Sequence, residues 1–179
     1  TICTILLNKV QRKMEVKIMT RKIILFYLVP FVLLFSCSSI IQHVDLEQDS
    51  TYTVLPFENY TDTPMAGYTV ASILEASLRA KGIKVARTVW TFKDREPSKE
   101  ELEKLFKEVS HNADNIITGT VNEFRYKTGI DGEPAVSLSV FIYDAKKGTI
   151  IKGLSASASG WSHESLGTIT QKLIRDIFQ

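Results

Sequence analysis

The sequence YTVLPFENYTDTPMAGYTVASILEASLRAKGIKVARTVW, residues 52–90, predicts a strand, a helix and a second strand in that order. Residues 52–57 form a short apolar run, and Pro56 near its end suits a strand terminus or a sheet edge. Residues 83–90 form the second run of strand type. A strand, a helix and a strand in this order predict a right-handed parallel unit. Apolar residues recur at helical spacing between the two strands: Ala66, Val70, Ile73, Leu74 and Leu78.

The boundaries of that helix have their own sequence signals. Thr63 followed by Pro64 predicts its start, because a hydroxyl side chain caps the first turn and proline is favoured at the first helical position. Arg79 and Lys81 suit the negative carboxyl end of a helix, and Gly82 supplies the left-handed residue that ends it. We therefore expect the helix to run from Pro64 to Lys81.

The rest of the chain predicts three strands between two helices. Ser98 and Glu101 form a capping box ahead of the first helix, and Ser162 can cap the last. The resulting order β-α-β-α-β-β-β-α predicts an α/β fold, a mixed-sheet sandwich with helices packed on the sheet. The three strands are expected at residues 115–127, 135–144 and 149–160, with turns at 129–134 and 145–148.

The two-residue period of the last two strands predicts how they pair. With Leu138 opposite Leu154, the apolar rows of the two strands coincide and the serine residues of both strands share the other face. A slip of one residue would bury the serine row, so we expect this arrangement of the two faces to hold.

Residues 19–36, MTRKIILFYLVPFVLLFS, have the composition of a secretory signal peptide: a basic start, an apolar run and a small residue before the cleavage site. The run contains Pro30 and is shorter than the roughly 20 residues of a transmembrane helix. A buried hydrophobic helix is the alternative. Leu34-Phe35-Ser36-Cys37 resembles the lipobox of bacterial lipoproteins, which implies that Cys37 is acylated and becomes the mature N-terminus.

These signals divide the chain into four parts. The chain begins at Thr1 without a methionine, so we expect residues 1–18 to be an upstream extension or the product of a mis-set start. Residues 19–36 are the predicted signal peptide. Ser38 stands where an aspartate would signal inner-membrane retention in lipoproteins, which favours the periplasmic leaflet of the outer membrane. Residues 37–50 are expected to form a lipidated tether and residues 51–179 a globular periplasmic domain.

Composition excludes some partners. Six of the 22 Lys and Arg residues and one of the 20 Asp and Glu residues precede Cys37, so the chain from Cys37 onward has 16 basic and 19 acidic residues, a net charge of −3. A nucleic-acid partner would require a basic face, which the sequence does not show. Cys3 and Cys37 are the two cysteines, so the predicted domain has no disulfide framework, and acylation accounts for the single cysteine at its start.

A search for catalytic and metal-binding motifs finds none. His43, His111 and His163 lack the spacing of metal ligands. Adjacent Glu164 and Ser165 do not make a triad with His163, because neighbouring helical residues do not face each other. The sequence also lacks a G-x-S-x-G elbow, a G-x-G-x-x-G loop and a Walker loop. We therefore expect no enzymatic activity, no metal and no cofactor.

Two places in the chain allow a functional interpretation. Asp131 and Glu133 flank Gly132 in a predicted turn, where acidic residues are often only solvated turn formers. Alternatively, they form an acidic loop that faces a cationic ligand, and repeated copies would add their fields. Trp161 follows Gly160 at the end of a strand. It could pack in the core, or its amphipathic indole could enter a membrane interface.

Residues 52–85 resemble the opening of the outer-membrane lipoproteins related to the TolB N-terminal domain, which include CsgG and LpoB. Residues 124–178 are similar to the PelC family, the lipoproteins of Pel exopolysaccharide export. The second resemblance is the more specific. It depends on the segments Arg125-Tyr126-Lys127, Gly129, Asp131-Gly132-Glu133-Pro134-Ala135-Val136 and Gly160-Trp161 with Glu164-Ser165-Leu166.

The resemblance implies both a fold and a function. It implies a TolB N-terminal-like fold and a ring of copies on the outer membrane, beneath a PelB-like porin, that guides a cationic exopolysaccharide outward in biofilm matrix secretion. It also implies that Trp161 is the membrane-facing residue, and that acidic residues line the approach to the pore. Asp131 and Glu133 are the candidates for this lining.

The alternative is an LpoB- or CsgG-like lipoprotein that activates a peptidoglycan synthase or assists secretion. LpoB-like activators reach through the cell wall on a long linker that is often rich in proline, whereas the predicted tether at residues 37–50 is short. A CsgG-like channel needs extra membrane-spanning hairpins, for which the predicted domain has no room. These differences favour the PelC-like interpretation.

Overall fold

The computed structural model describes residues 43–91, 93–129 and 132–178. Its element order is β-β-α-α-β-β-β-α, which differs from the predicted β-α-β-α-β-β-β-α in the first half and agrees with it from the third strand onward. Within the described residues the fold is a mixed five-stranded sheet with three helices, and the predicted fold class is confirmed. The elements in chain order are β1 (Tyr52–Val54), β2 (Glu58–Asn59), α1 (Ala66–Ala80), α2 (Lys99–Val109), β3 (Asn115–Tyr126), β4 (Pro134–Asp144), β5 (Thr149–Ser159) and α3 (Leu166–Ile177).

Strand β3 organises the sheet. Both β1 and β2 run parallel to β3 along one of its edges, and β4 runs antiparallel along the other. Strand β5 pairs antiparallel with β4, so the sheet order is β1-β3-β4-β5. Leu55, which lies between the two short strands, donates its N–H to Ile117 O (2.9 Å). Tyr60, which follows β2, donates its N–H to Val121 O (3.0 Å). The whole stretch 52–60 therefore lies beside β3.

One face of the sheet, here called the core face, is covered by α1 and α3. The two helices also pack against each other. The exclusion from water of the apolar side chains on the core face and on both helices is the main stabilising contribution to the fold. The core face of β4 carries Val136, Leu138, Val140 and Ile142, and the helices contribute Val70, Leu74, Leu78, Ile169, Leu173 and Ile177, all at most 2% exposed.

Phe57 fixes the close approach between α1 and the sheet. Its side chain is fully buried. A Cβ atom at Gly67 of α1 would lie 2.0 Å from the carbonyl oxygen of Phe57, and one at Gly119 of β3 would lie 2.7 Å from the Phe57 ring. Both positions therefore require glycine, because these distances are too short for any larger residue.

The opposite face of the sheet, here called the open face, is covered by α2 at one end. The ring of Phe106 in α2 meets that of Tyr143 in β4 edge-on, with centroids 5.2 Å apart. The predicted capping box at the start of α2 is confirmed, because Glu101 N donates to Ser98 Oγ (3.3 Å) and Ser98 N donates to Glu101 Oε2 (2.9 Å). Beyond α2, polar side chains form the surface of the open face.

The predicted pairing of β4 with β5 differs from the observed pairing by two residues. Leu154 lies opposite Val140, and Leu138 lies opposite Ala156. A shift of two residues keeps every side chain on its predicted face, whereas a shift of one would not. The shared serine row is therefore confirmed, with the pairs Ser137–Ser157 and Ser139–Ser155.

The prediction of a second strand at residues 83–90 is wrong. Val85 makes one isolated parallel bridge to Tyr52, and no strand follows. The guanidinium of Arg79 donates to Val85 O (3.1 Å) and Ala86 O (2.9 Å), so side-chain bonds satisfy carbonyl groups that a strand would use. The indole of Trp90 donates to a β1 carbonyl group at 2.8 Å and holds the end of the segment against the sheet.

Two of the three predicted helix caps were placed too early. The hydroxyl of Thr63 donates to the main-chain carbonyl group of Phe124 instead of capping α1, which begins after Met65 in a left-handed conformation (φ 63°). The last helix is capped by Ser165 and not by Ser162, because Ser165 Oγ accepts the main-chain N–H of residue 168 at 3.1 Å.

Part of the predicted tether packs against the domain. Val44 is 8% exposed, and its N–H donates to Ile177 O at 2.8 Å. Glu47 N donates to the hydroxyl of Tyr52 at 2.9 Å, and Lys152 Nζ donates to a carbonyl group of this segment at 2.7 Å. Residues of the 43–50 segment therefore pack with the domain, and residues 37–42 lie outside the described part of the chain.

Candidate functional site at one end of the sheet

Glu133 and Trp161, two of the predicted site residues, lie at the same end of the sheet. Here β3 ends, β4 begins and β5 ends. Lys127 N donates to Glu133 O (2.7 Å) and closes the β3–β4 turn, and Gly160 N donates to Pro134 O (2.8 Å) just after β5. The predicted acidic turn and the Gly160-Trp161 corner are therefore neighbours in the fold.

The main chain at Trp161 is fixed by two reciprocal hydrogen bonds. Trp161 N donates to Glu164 Oε2, and Glu164 N donates to Trp161 O, both at 2.9 Å. Lys172 of α3 forms an ion pair with Glu164. This lysine, together with the Trp161 N–H, lowers the pKa of the Glu164 carboxyl group. The Glu164 carboxylate therefore stays ionised at neutral pH and keeps its hydrogen bond to Trp161 N.

The Trp161 side chain points into solvent from this turn and is 71% exposed. The interpretation of Trp161 as a core residue is therefore wrong, while its contact with a membrane stays a prediction. Trp90 is the buried tryptophan, at 8% exposure. Gly160 brings the turn close to α3, because a Cβ atom there would lie 2.3 Å from Ile169 Cδ1.

Only part of the predicted acidic loop can be described. Asp131 lies outside the described residues. Glu133 is half-buried, and its Oε2 atom lies 3.7 Å from Lys127 Nζ, with both side chains 44% exposed. Exposed pairs of this kind contribute little to stability and are screened by salt. The charge of Glu133 is therefore partly balanced by its neighbour, and its proposed role facing a cationic polymer stays a prediction.

Two exposed aromatic residues were not singled out from the sequence. Tyr126, near the acidic turn at the end of β3, is 50% exposed, and Tyr60, beside β3 after the short strand β2, is 67% exposed. Tyr126 carried no signal of exposure, because by the two-residue period it shares a face of β3 with Phe124, which is 5% exposed. Tyr60 carried none, because it lies between the predicted strand at residues 52–57 and the predicted helix start at Thr63.

Several other predictions concern residues outside the described part of the chain. Cys37 and the predicted signal peptide at residues 19–36 are among them. Within residues 43–91, 93–129 and 132–178, no helix is both long enough and apolar enough to cross a membrane. The same residues contain no group of three or more His, Cys, Asp or Glu side chains that could hold a metal ion.

Two solved dodecamers of PelC from Paraburkholderia phytofirmans are similar to this chain. One, a leucine-to-methionine variant, is 31% identical over 77% of this chain and 92% of that chain, with a TM-score of 0.63. The other is 30% identical over 78% and 92%, with a TM-score of 0.57. The C-terminal domain of LpoB from Escherichia coli is 13% identical over 62% and 83%, with a TM-score of 0.42. No family model and no curated protein sequence matches the chain.

Proposed function

Because the chain belongs to the PelC family, we propose that it is a lipid-anchored protein of the outer membrane that guides a cationic exopolysaccharide to an export porin. In this proposal the protein forms a ring on the periplasmic leaflet beneath a PelB-like porin and catalyses no reaction. The observation that supports the proposal most strongly is 30–31% identity to PelC across 92% of the PelC chains.

The proposed anchor is Cys37. A single acyl chain holds a protein to a membrane only marginally, whereas two or more chains anchor it stably. The linker that follows is short, because Val44 is already buried in the domain. Six residues separate Cys37 from Val44, so an acylated Cys37 would keep the domain within roughly 25 Å of the lipid surface.

Trp161 is the proposed second contact with the membrane. An exposed indole on a hydrogen-bonded turn fits an interfacial position, where one end of the ring system is apolar and the N–H stays wet. The β3–β4 turn lies next to this corner through the bond from Gly160 N to Pro134 O (2.8 Å). If Trp161 contacts the lipid, Glu133 also lies near the membrane surface, at the proposed approach to the porin.

Assembly into a ring is supported by the relatives and by one edge of the sheet. The two PelC structures are dodecamers. Among the described strands, β5 pairs only with β4, and Lys152 is the one charged residue in its sequence. Proteins usually protect such a long edge with charges, proline or a covering element. A ring would also add the fields of its copies, which strengthens attraction for a cationic polymer.

Complementation tests the proposed function. The full chain is expressed in a bacterium that lacks its own PelC, and secreted polysaccharide is measured beside the Cys37→Ala variant. We expect the full chain to restore secretion and the variant to restore much less, with the variant protein absent from the outer-membrane fraction. Equal secretion with both chains would contradict the role of the anchor, and no secretion with a correctly acylated chain would contradict the proposed function.

A further inference from the structure

The open face of the sheet carries a continuous polar surface beyond α2. In the pairing of β3, β4 and β5, Thr120, Ser139 and Ser155 form one cross-strand row, and Glu123, Ser137 and Ser157 form the next. Asn122 lies at the bulge between these rows, where its Nδ2 donates to Ser139 Oγ at 2.9 Å. The members of these rows are exposed or half-buried. They present hydroxyl and amide groups to solvent.

A groove of about 510 Å³ lies along this surface, between the 60–63 segment and β3. Ligand sites in proteins typically measure about 300–1,000 Å³. Asn59 organises the wall of the groove: its Nδ2 donates to Thr63 O (2.8 Å), and its Oδ1 accepts the N–H of Thr61 (3.0 Å). The bond from the Thr63 hydroxyl to Phe124 O joins this wall to β3. The groove is therefore preformed.

The groove combines an aromatic ring with an excess of negative charge. Tyr60 lines it with 67% of its surface exposed, and its hydroxyl donates to Glu58 Oε2 at 2.6 Å. Asp62 and Glu123 also line it, and Arg125 Nε donates to Glu123 Oε1 at 2.9 Å. Two carboxylates therefore line the groove against one guanidinium group, and a third, that of Glu58, lies beside it through its bond to Tyr60. The groove complements a ligand that is positively charged and rich in hydroxyl groups.

A second groove of about 340 Å³ lies on the same face, towards α2. Glu58 and Thr120 line it, together with the rings of Phe141 and Tyr143. Glu58 also accepts the hydroxyl of Tyr60, so it lies between the two grooves. From Thr118 to Arg125 the open face extends roughly 23 Å along β3. This length suits a polymer better than a single small molecule.

We propose that the groove at Tyr60 and Asp62 binds protonated amino-sugar units of the exported polysaccharide, which makes the open face a polymer-binding track. The inference depends on the proposed function. Carboxylates form charge-assisted hydrogen bonds with ammonium groups. A tyrosine ring attracts a cation over its face. The serine, threonine and asparagine side chains can exchange hydrogen bonds with sugar hydroxyl groups. This site is separate from the acidic turn at Glu133.

The test is an NMR titration of the full mature protein with a glucosamine tetramer, with the N-acetylated tetramer as the neutral control. We expect the charged tetramer to shift the amide signals of residues 59–63 and 122–125, and to bind more weakly at higher salt. Tyr60→Ala and Asp62→Asn should each weaken binding roughly two- to fivefold. Glu108→Gln, which removes an exposed carboxylate from α2, is the charge-matched control and should leave binding unchanged.

The outcomes separate this inference from the proposed function. Binding that shifts signals near Glu133 and is weakened by Glu133→Gln, but not by Asp62→Asn, would overturn the groove and leave the guiding role intact. Equal binding of the neutral tetramer would overturn the charge recognition. A loss of ring assembly in the Tyr60→Ala variant, measured by native mass spectrometry, would show that the open face is a subunit contact and would also overturn the inference.

Discussion

Removal of the Trp161 side chain should weaken membrane binding and leave the fold intact. Trp161 is 71% exposed, so an indole side chain of roughly 150–250 Å² leaves about 105–180 Å² for contact with lipid. At about 25 cal/mol per Å², complete burial of this area would contribute roughly 2.5–4 kcal/mol. A ring at the interface is partly buried, so we expect about half of this value, which corresponds to roughly a ten- to thirtyfold change in vesicle partitioning.

The assay uses protein that begins at Ser38, so that neither the apolar signal segment nor acyl chains dominate binding, and compares it with the same protein carrying Trp161→Ala. Tyr60→Ala is the matched control, because Tyr60 is exposed to a similar degree at 67%. The chain has two tryptophans, and Trp90 is buried, so brominated lipids should quench the fluorescence of Trp161 alone. The free energy of unfolding should change by no more than about 0.5 kcal/mol, as is usual for surface residues.

Two results would refute this reasoning. The first is a loss of more than about 2 kcal/mol in the free energy of unfolding of the Trp161→Ala variant, because a change of that size requires a packing or hydrogen-bonding role that an exposed side chain lacks. The second is unquenched Trp161 fluorescence in protein that is demonstrably bound to vesicles. In that case the protein would bind lipid through another surface.

Three further predictions concern stability. Gly119→Ala places a methyl group 1.9 Å from a backbone carbonyl oxygen and should cost about 3 kcal/mol or more in urea unfolding, whereas Gly129→Ala, with no atom within 4 Å, should be nearly neutral. Gly160→Ala meets a side chain at 2.3 Å that can shift, so a cost of about 1–3 kcal/mol in thermal unfolding is expected. Arg95 lowers the pKa of Glu101 to about 2. The contribution of the ionised Glu101 carboxylate to stability is present above a pH of about 4.3 and is lost as the pH falls to about 2. The difference in stability between the parent protein and the Glu101→Gln variant should therefore shrink as the pH falls over that range.

The three long strands could be predicted because their pattern is local. In β4 the apolar residues alternate with serine or aromatic residues, and the two faces differ in polarity along most of the strand. The exact pairing with β5 could not be predicted, because a shift of two residues leaves both faces unchanged. The capping box at Ser98 and Glu101 was predictable for the same local reason, since its two hydrogen bonds join residues three positions apart.

The errors occurred where distant residues compete for local groups. Thr63 has the sequence of a helix cap, yet its hydroxyl bonds to the carbonyl group of Phe124, which is 61 positions away. Residues 83–90 have the composition of a strand, yet the Arg79 guanidinium bonds to their carbonyl groups. The exposure of Trp161 could not be predicted either, because its sequence context fits both a core and a surface position. Only the tertiary structure decides such cases.

The central proposal is that many acylated copies act together as a guide for a polymer, and electron microscopy of the full chain tests it most directly. The protein should be purified from outer membranes in mild detergent with its acyl chains attached. We expect closed rings with the Trp161 corners on the lipid-facing side and acidic residues around the central opening. A population of monomers with acylated Cys37, persisting when the protein is concentrated and returned to lipid, would contradict the proposal.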